Sequence, residues 1–115
     1  MIRVVLADDH NLVRAGLRAL LERLPEVEVV GEAANGREAL ALIAADPVDL
    51  VLTDMRMPGM DGTALLARLP AAVPAIVVTG ADAPPPPRAA AVLRKDELTR
   101  ERLEFTLRGV IRGEP

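Results

Sequence analysis

"VDLVLTDMRMPGMDG", residues 48–62, is the stretch whose reading decides the fold. It begins as a nearly continuous apolar run that ends on Asp54, and Pro58, Gly59 and Gly62 follow within eight residues. A short apolar run of this kind fits a strand buried on both faces, and the proline and glycines mark a turn behind it. The chain opens in the same way, since "IRVVLAD" (2–8) also ends in acid, with Asp9 beside Asp8. Between the two, "NLVRAGLRALLERL" (11–24) places Leu12, Val13, Leu17, Leu20, Leu21 and Leu24 at helical spacing, "VEVVGEA" (27–33) reads as a strand, and "GREALALIAAD" (36–46) as a second helix. Beyond the turn lie a short helix near Thr63–Leu69, a fourth strand in "PAIVVTG" (74–80) and a fifth in "AAAVLRK" (89–95). The amphipathic "TRERLEFTLRGVIRG" (99–113) closes the series, with Gly113 and Pro115 as stop signals. Strands alternating with helices at this period predict βαβ units, a parallel sheet and right-handed crossovers.

Composition limits what such a domain does. At 115 residues, half of them apolar, the chain suffices for one domain with a single core, taken here as residues 1–115. A net charge of −3 gives it no basic signature for nucleic acid or an anionic membrane, so no direct nucleic-acid binding is expected. The absence of cysteine excludes disulfides and thiolate metal sites and fits a reducing compartment. No apolar span of about 20 residues and no signal-peptide pattern is present, which leaves the cytoplasm as the expected location.

Polar residues gather where these strands end. Asp8 and Asp9 follow the first strand, Asp54 ends the third, Thr79 the fourth, and Lys95 the fifth. In an open α/β sheet that edge binds ligands. With the first and third strands adjacent, as in the order 2-1-3-4-5, the carboxylates converge and repel one another unless a cation intervenes, and an all-oxygen set with room for water suits Mg²⁺. Taken singly, each residue has an ordinary explanation. Asp8 and Asp9 before a helix resemble N-caps, Asp54 a solvated turn residue, Thr79 a strand-end hydroxyl and Lys95 a surface lysine. Together those explanations weaken. His10, the single histidine, reads as a capping or rim residue, Met55, Met57 and Met60 as loop packing, Gly59 and Gly62 as turn glycines, and Asp61 as an N-cap.

The segments "VVLADDH", "LTDMRMPGMDG", "VVTG" and "LRKD" resemble the receiver domain of two-component response regulators, and "ADDH", "VVGEAANGREAL" and "MPGMDG" its NarL/FixJ (LuxR-type) subfamily. The resemblance covers residues 1–82 and 90–114. It implies a flavodoxin-like (CheY-like) α/β fold, a doubly wound five-stranded parallel sheet of order 2-1-3-4-5. It also implies that Asp54 is the phospho-acceptor, that Asp8 and Asp9 serve Mg²⁺ together with Asp54 and the backbone carbonyl of Arg56, that Thr79 is the switch hydroxyl, and that Lys95 contacts the phosphoryl group. The partners implied are a sensor histidine kinase and a C-terminal helix-turn-helix DNA-binding output domain that is not part of this chain; a homodimer is a further expectation, from the exposed Phe105 and Leu98. The residues end at Gly113-Glu-Pro, about where a linker to such a domain would begin, so the chain reads as an excised or a stand-alone receiver.

Two departures stand out. Between Thr79 and Lys95 the chain is shorter than the family's usual spacing, and four consecutive prolines, Pro84 to Pro87, stand where the family's fourth helix belongs. Proline fixes φ and lacks an amide hydrogen. Crossing back along a five-residue strand spans about 16 Å, which a helix needs about 11 residues to cover and a polyproline II arm only five or six. Asp82 to Arg88 are therefore expected to cross without a helix. The second departure is Val92, which occupies the atypical switch position where the family carries an aromatic; a third, Asp96 after Lys95, carries little weight. On the last helix Leu103, Leu107 and Val110 are expected on the buried face, with Phe105 and Leu98 nearly opposite; either these two form a self-association or partner surface, or Pro84 to Pro87 pack on the exposed edge and Phe105 is a tolerated surface aromatic.

The expected function is a phospho-accepting input module for a transcriptional output, self-phosphorylating and autodephosphorylating but not a turnover enzyme. A phosphorylation-independent interaction module is the rival reading. A haloacid-type hydrolase is nearly excluded, because its nucleophile motif needs an acid two residues on, where Arg56 stands.

Overall fold

The computed structural model describes residues 1–80, 84 and 86–113. The elements run β1 (Ile2–Ala7), α1 (Asn11–Glu22), β2 (Val27–Ala33), α2 (Gly36–Ala45), β3 (Leu50–Asp54), α3 (Gly62–Arg68), β4 (Ala75–Thr79), β5 (Ala89–Arg94), a 3-10 turn (Lys95–Glu97) and α4 (Arg100–Arg112). All five strands are parallel, in the order β2-β1-β3-β4-β5. This is the flavodoxin-like arrangement that the alternation predicts.

The period of two along each central strand sorts its side chains into two cores. Val4, Leu6, Leu50, Leu52, Ile76 and Val78 face one way, against Leu17 and Leu21 of α1 and Leu103 and Leu107 of α4. Val5, Ala7, Val51 and Val77 face the other, against Ala39 of α2 and Leu65 and Leu66 of α3. Every residue of β3 and β4 is buried, whereas the edge strand β5 alternates. That contrast explains why the inner strands read as apolar runs.

Two residues depart from the predicted helical faces. Leu12 is 88% exposed, because it lies nine residues from Leu21, about half a turn around the helix at about 100° per residue. Leu98 packs on the first core instead of projecting opposite Leu103. It precedes the helix: Thr99 is the N-cap, its hydroxyl accepting from the Arg102 amide at 3.1 Å, so helical periodicity does not govern Leu98. Phe105 does project outward and is 62% exposed.

Among the described residues between β4 and β5 there is no helix. Asp82, Ala83 and Pro85, part of the arm expected to be polyproline, lie outside the described residues, and its described end is a turn. There Pro86 is buried, and a turn at Pro87-Arg88 closes with the Ala89 amide donating to the Pro86 carbonyl at 3.0 Å. The Arg88 guanidinium then donates to the carbonyls of Leu66 (2.9 Å), Leu69 (2.7 Å) and Pro70 (3.3 Å). These are carbonyls at and just beyond the C-terminus of α3, where positive charge is favoured; those of Leu66 and Pro70 also accept from the Leu69 and Val73 amides at 3.4 and 3.0 Å. Val92 pairs with Val77 and so points to the α2/α3 side, yet it is 36% exposed, which is the cover a fourth helix would have supplied.

Candidate functional site

The sheet order brings four strand ends to one edge. Asp8 follows β1, Asp54 ends β3, Thr79 ends β4, and Lys95 begins the 3-10 turn after β5. Asp8, Asp54 and Thr79 are all buried, which removes the solvated-turn explanation of Asp54. Lys95 Nζ lies 3.2 Å from Asp54 Oδ2 and 4.0 Å from Asp8 Oδ2. His10, Asp54, Arg56, Thr79, Gly80 and Lys95 line a cavity of ≈ 290 Å³.

Local chemistry fixes the acidic pair. Asp8 Oδ1 accepts from the His10 amide at 2.8 Å, so neither aspartate caps α1; the N-cap position belongs to His10, whose ring makes no capping bond. Asp8 Oδ2 and Asp9 Oδ1 are buried without a hydrogen-bond partner. Unpaired buried carboxylate oxygens are costly, and their position beside Asp54 fits a hard divalent cation bound through oxygen. Among the described residues, Asp8, Asp9, His10 and Asp54 each offer one ligand atom within 4.8 Å of the others. His10 is thus a rim residue, as expected, but one that faces the carboxylates.

The turn after β3 is built to hold Asp54 still. The Thr53 hydroxyl donates to the Asp54 carbonyl at 2.9 Å, and the Gly62 amide donates to the Met55 carbonyl at 2.9 Å. A Cβ on Gly62 would sit 2.4 Å from the Asp54 carbonyl oxygen, so this glycine serves close approach, whereas Gly59, at φ +74°, serves the turn. Asp61 caps α3 as expected, accepting from the Ala64 amide at 2.9 Å. Met57 is buried in the second core, and Met55 and Met60 pack against it.

Sequence reasoning missed Arg14. Its guanidinium donates to the Asp8 carbonyl, to Asn11 Oδ1 (2.8 Å) and to Glu32 Oε1 (3.0 Å), and so ties the acidic loop to the end of β2. Burial pushes the Glu32 carboxyl up, but hydrogen bonds and charge from Arg18 and Arg14 outweigh it and hold the group below the usual range. The available signal was an arginine four residues after the acidic loop, on a helix whose other face is apolar.

The response regulator receiver domain profile matches residues 4–97. The response regulator UvrY of Escherichia coli O6:H1 is 49% identical over 82 residues, which is 69% of this chain and 38% of UvrY. The chain therefore spans well under half the length of that relative. The signal receiver domain of the response regulator assigned as NarL in Mycobacterium tuberculosis is 35% identical, with 98% of each chain covered and a TM-score of 0.86. A LuxR-family two-component response regulator from Aurantimonas sp. SI85-9A1 is 26% identical over 97% of this chain and 86% of that one, with a TM-score of 0.85. Profile, fold and pocket agree: the chain belongs to the response regulator receiver domain family, in its NarL/FixJ (LuxR-type) branch.

Proposed function

We propose that this domain accepts a phosphoryl group on Asp54 and passes the change to a transcriptional output. One observation carries the reading: Asp54 sits at the floor of the cavity with Lys95 at 3.2 Å and two orphaned carboxylate oxygens beside it. A carboxylate oxygen of Asp54 attacks phosphorus and forms an acyl phosphate, and the bond to the donor breaks. That donor is a phosphohistidine of a sensor histidine kinase, whose imidazole leaves and takes up a proton. The residues supply positioning and charge neutralisation, which phosphoryl transfer chiefly requires. Lys95 offsets charge on the phosphoryl oxygens, and Asp8, Asp9, Asp54 and the Arg56 carbonyl would hold Mg²⁺. The metal, when bound, neutralises phosphoryl oxygen charge during transfer.

The acyl phosphate brings strong acceptors to which the Thr79 hydroxyl turns, biasing the β4 and β5 edge. The domain is not a turnover enzyme, although it promotes its own phosphorylation and dephosphorylation. It works in the cytoplasm, joined to or acting with a helix-turn-helix DNA-binding unit, without itself binding nucleic acid, and pairs with a second copy through its exposed apolar surface. Mass spectrometry after incubation with acetyl phosphate and Mg²⁺ tests the reading. Wild type gains one phosphoryl group and Asp54→Asn none; equal labelling of both overturns the assignment.

Val92 at the switch position, about a third exposed, favours a second reading in which protein contact acts without phosphate. Beryllofluoride separates the two, since it changes the phospho-controlled protein and leaves the other unaltered.

A further inference from the structure

The rim of the acidic pocket carries a donor that this mechanism leaves unused. His10 Nδ1 lies 3.2 Å from Asp9 Oδ1, 3.4 Å from Asp8 Oδ1 and 4.0 Å from Asp54 Oδ2. Asp9 Oδ1 has no hydrogen-bond partner, so its approach to the ring is not a hydrogen bond. Asp8 Oδ2 is likewise orphaned, on a side chain 1% exposed. A tetrahedral cation with bonds of about 2.05 Å separates its donors by about 3.3 Å. The Asp9 Oδ1 distance lies close to that value, and Asp8 and Asp54 approach it by small side-chain shifts.

We propose that His10 is a metal ligand that gives the pocket a second preference, for a borderline first-row cation such as Zn²⁺, held by His10 Nδ1 with carboxylate oxygens of Asp8, Asp9 and Asp54. The inference rests on reading the pocket as a metal site. Imidazole nitrogen suits zinc, nickel and copper, whereas Mg²⁺ takes oxygen and keeps its waters. Three of the four donors sit on one short loop anchored at both ends of His10: its amide donates to Asp8 Oδ1, and its carbonyl accepts from the Arg14 amide at 3.0 Å. The amide occupies Asp8 Oδ1 and leaves Oδ2 for the ion. Lys95 is the competing cation, since it shares the Asp8 and Asp54 oxygens. With Asp54 serving as a zinc ligand, its oxygen is withheld from phosphorus, so Zn²⁺ opposes phosphorylation.

Calorimetric titration of the whole chain with zinc chloride and, separately, magnesium chloride tests this, using wild type, His10→Ala and His10→Asn, with Asp9→Asn as the control for the pocket. The His10 ring makes no capping bond, so both His10 variants should fold, which circular dichroism checks. Wild type should take one Zn²⁺ more tightly than Mg²⁺, the His10 variants should lose at least about tenfold in Zn²⁺ affinity, and Mg²⁺ affinity should stay within about twofold. Electron paramagnetic resonance of the Cu²⁺-loaded protein should show nitrogen coupling that His10→Ala removes. Equal Zn²⁺ affinity in wild type and His10→Ala, with Mg²⁺ binding intact, overturns the role of His10 and leaves the Mg²⁺ pocket standing. If wild type binds neither cation, both readings fall.

Discussion

Lys95 Nζ reaches Asp54 Oδ2 at 3.2 Å although the two residues stand 41 positions apart. The sheet achieves this, because β4 lies between β3 and β5 and carries both strand ends to the same edge. Removing the cation leaves Asp54 and Asp8 without that counter-charge. Lys95→Ala should keep the fold, shown by an unchanged circular dichroism spectrum, and should cut the acetyl phosphate labelling rate by about a hundredfold. A rate within a factor of about two of wild type would remove Lys95 from the reaction.

Asp8 holds an orphaned oxygen beside two further carboxylates. Asp8→Asn removes one of the repelling charges, so the metal-free protein should gain on the order of 1 kcal/mol while Mg²⁺ affinity falls. Thermal melts with and without Mg²⁺ give both signs at once. A variant less stable than wild type in EDTA contradicts the repulsion.

Arg88 bonds three carbonyls at the end of α3 and anchors the end of a crossover whose described residues form no helix. Arg88→Ala should cost about 1–2 kcal/mol, chiefly through the Leu69 carbonyl, because the Leu66 and Pro70 carbonyls keep the Leu69 and Val73 amides as donors, and Arg88→Lys should recover only part of the loss. Hydrogen exchange should quicken at residues 66–70 and 86–89 before it does in β3. Uniform protection across the variant would show that the arm is held by other contacts.

The lowered Glu32 carboxyl fixes the sign of a pH effect. Because its folded value lies below its unfolded one, Glu32 adds stability above the usual carboxylate range, and that stability is lost as pH falls through the folded value. Wild type should therefore melt above Glu32→Gln at neutral pH, with the gap closing as pH falls below the usual carboxylate range. Glu32 is partly exposed, so the gap should also narrow in high salt. A gap that widens on acidification contradicts the Arg14 and Arg18 pairing.

Order in sequence settled much of this molecule. Apolar runs set the strands, helical spacing set the faces that Leu17, Leu21, Leu103 and Leu107 bury, and Asp8, Asp9, Asp54, Thr79 and Lys95 could be placed at strand ends because strand termini are local events. That no helix forms among the described residues between β4 and β5 was also legible, since proline's fixed φ and lost donor act on the residue that carries them. Tertiary structure alone decided that Leu98 turns inward, that Arg14 holds the Asp8 carbonyl, that the His10 ring faces three carboxylates, and that Arg88 closes the end of α3. Each of these depends on where a chain segment lands in space, and long polar side chains reach partners that no periodicity encodes. Strand and helix patterns arise from forces repeated at every residue; these contacts arise once, when the crossovers bring distant segments together.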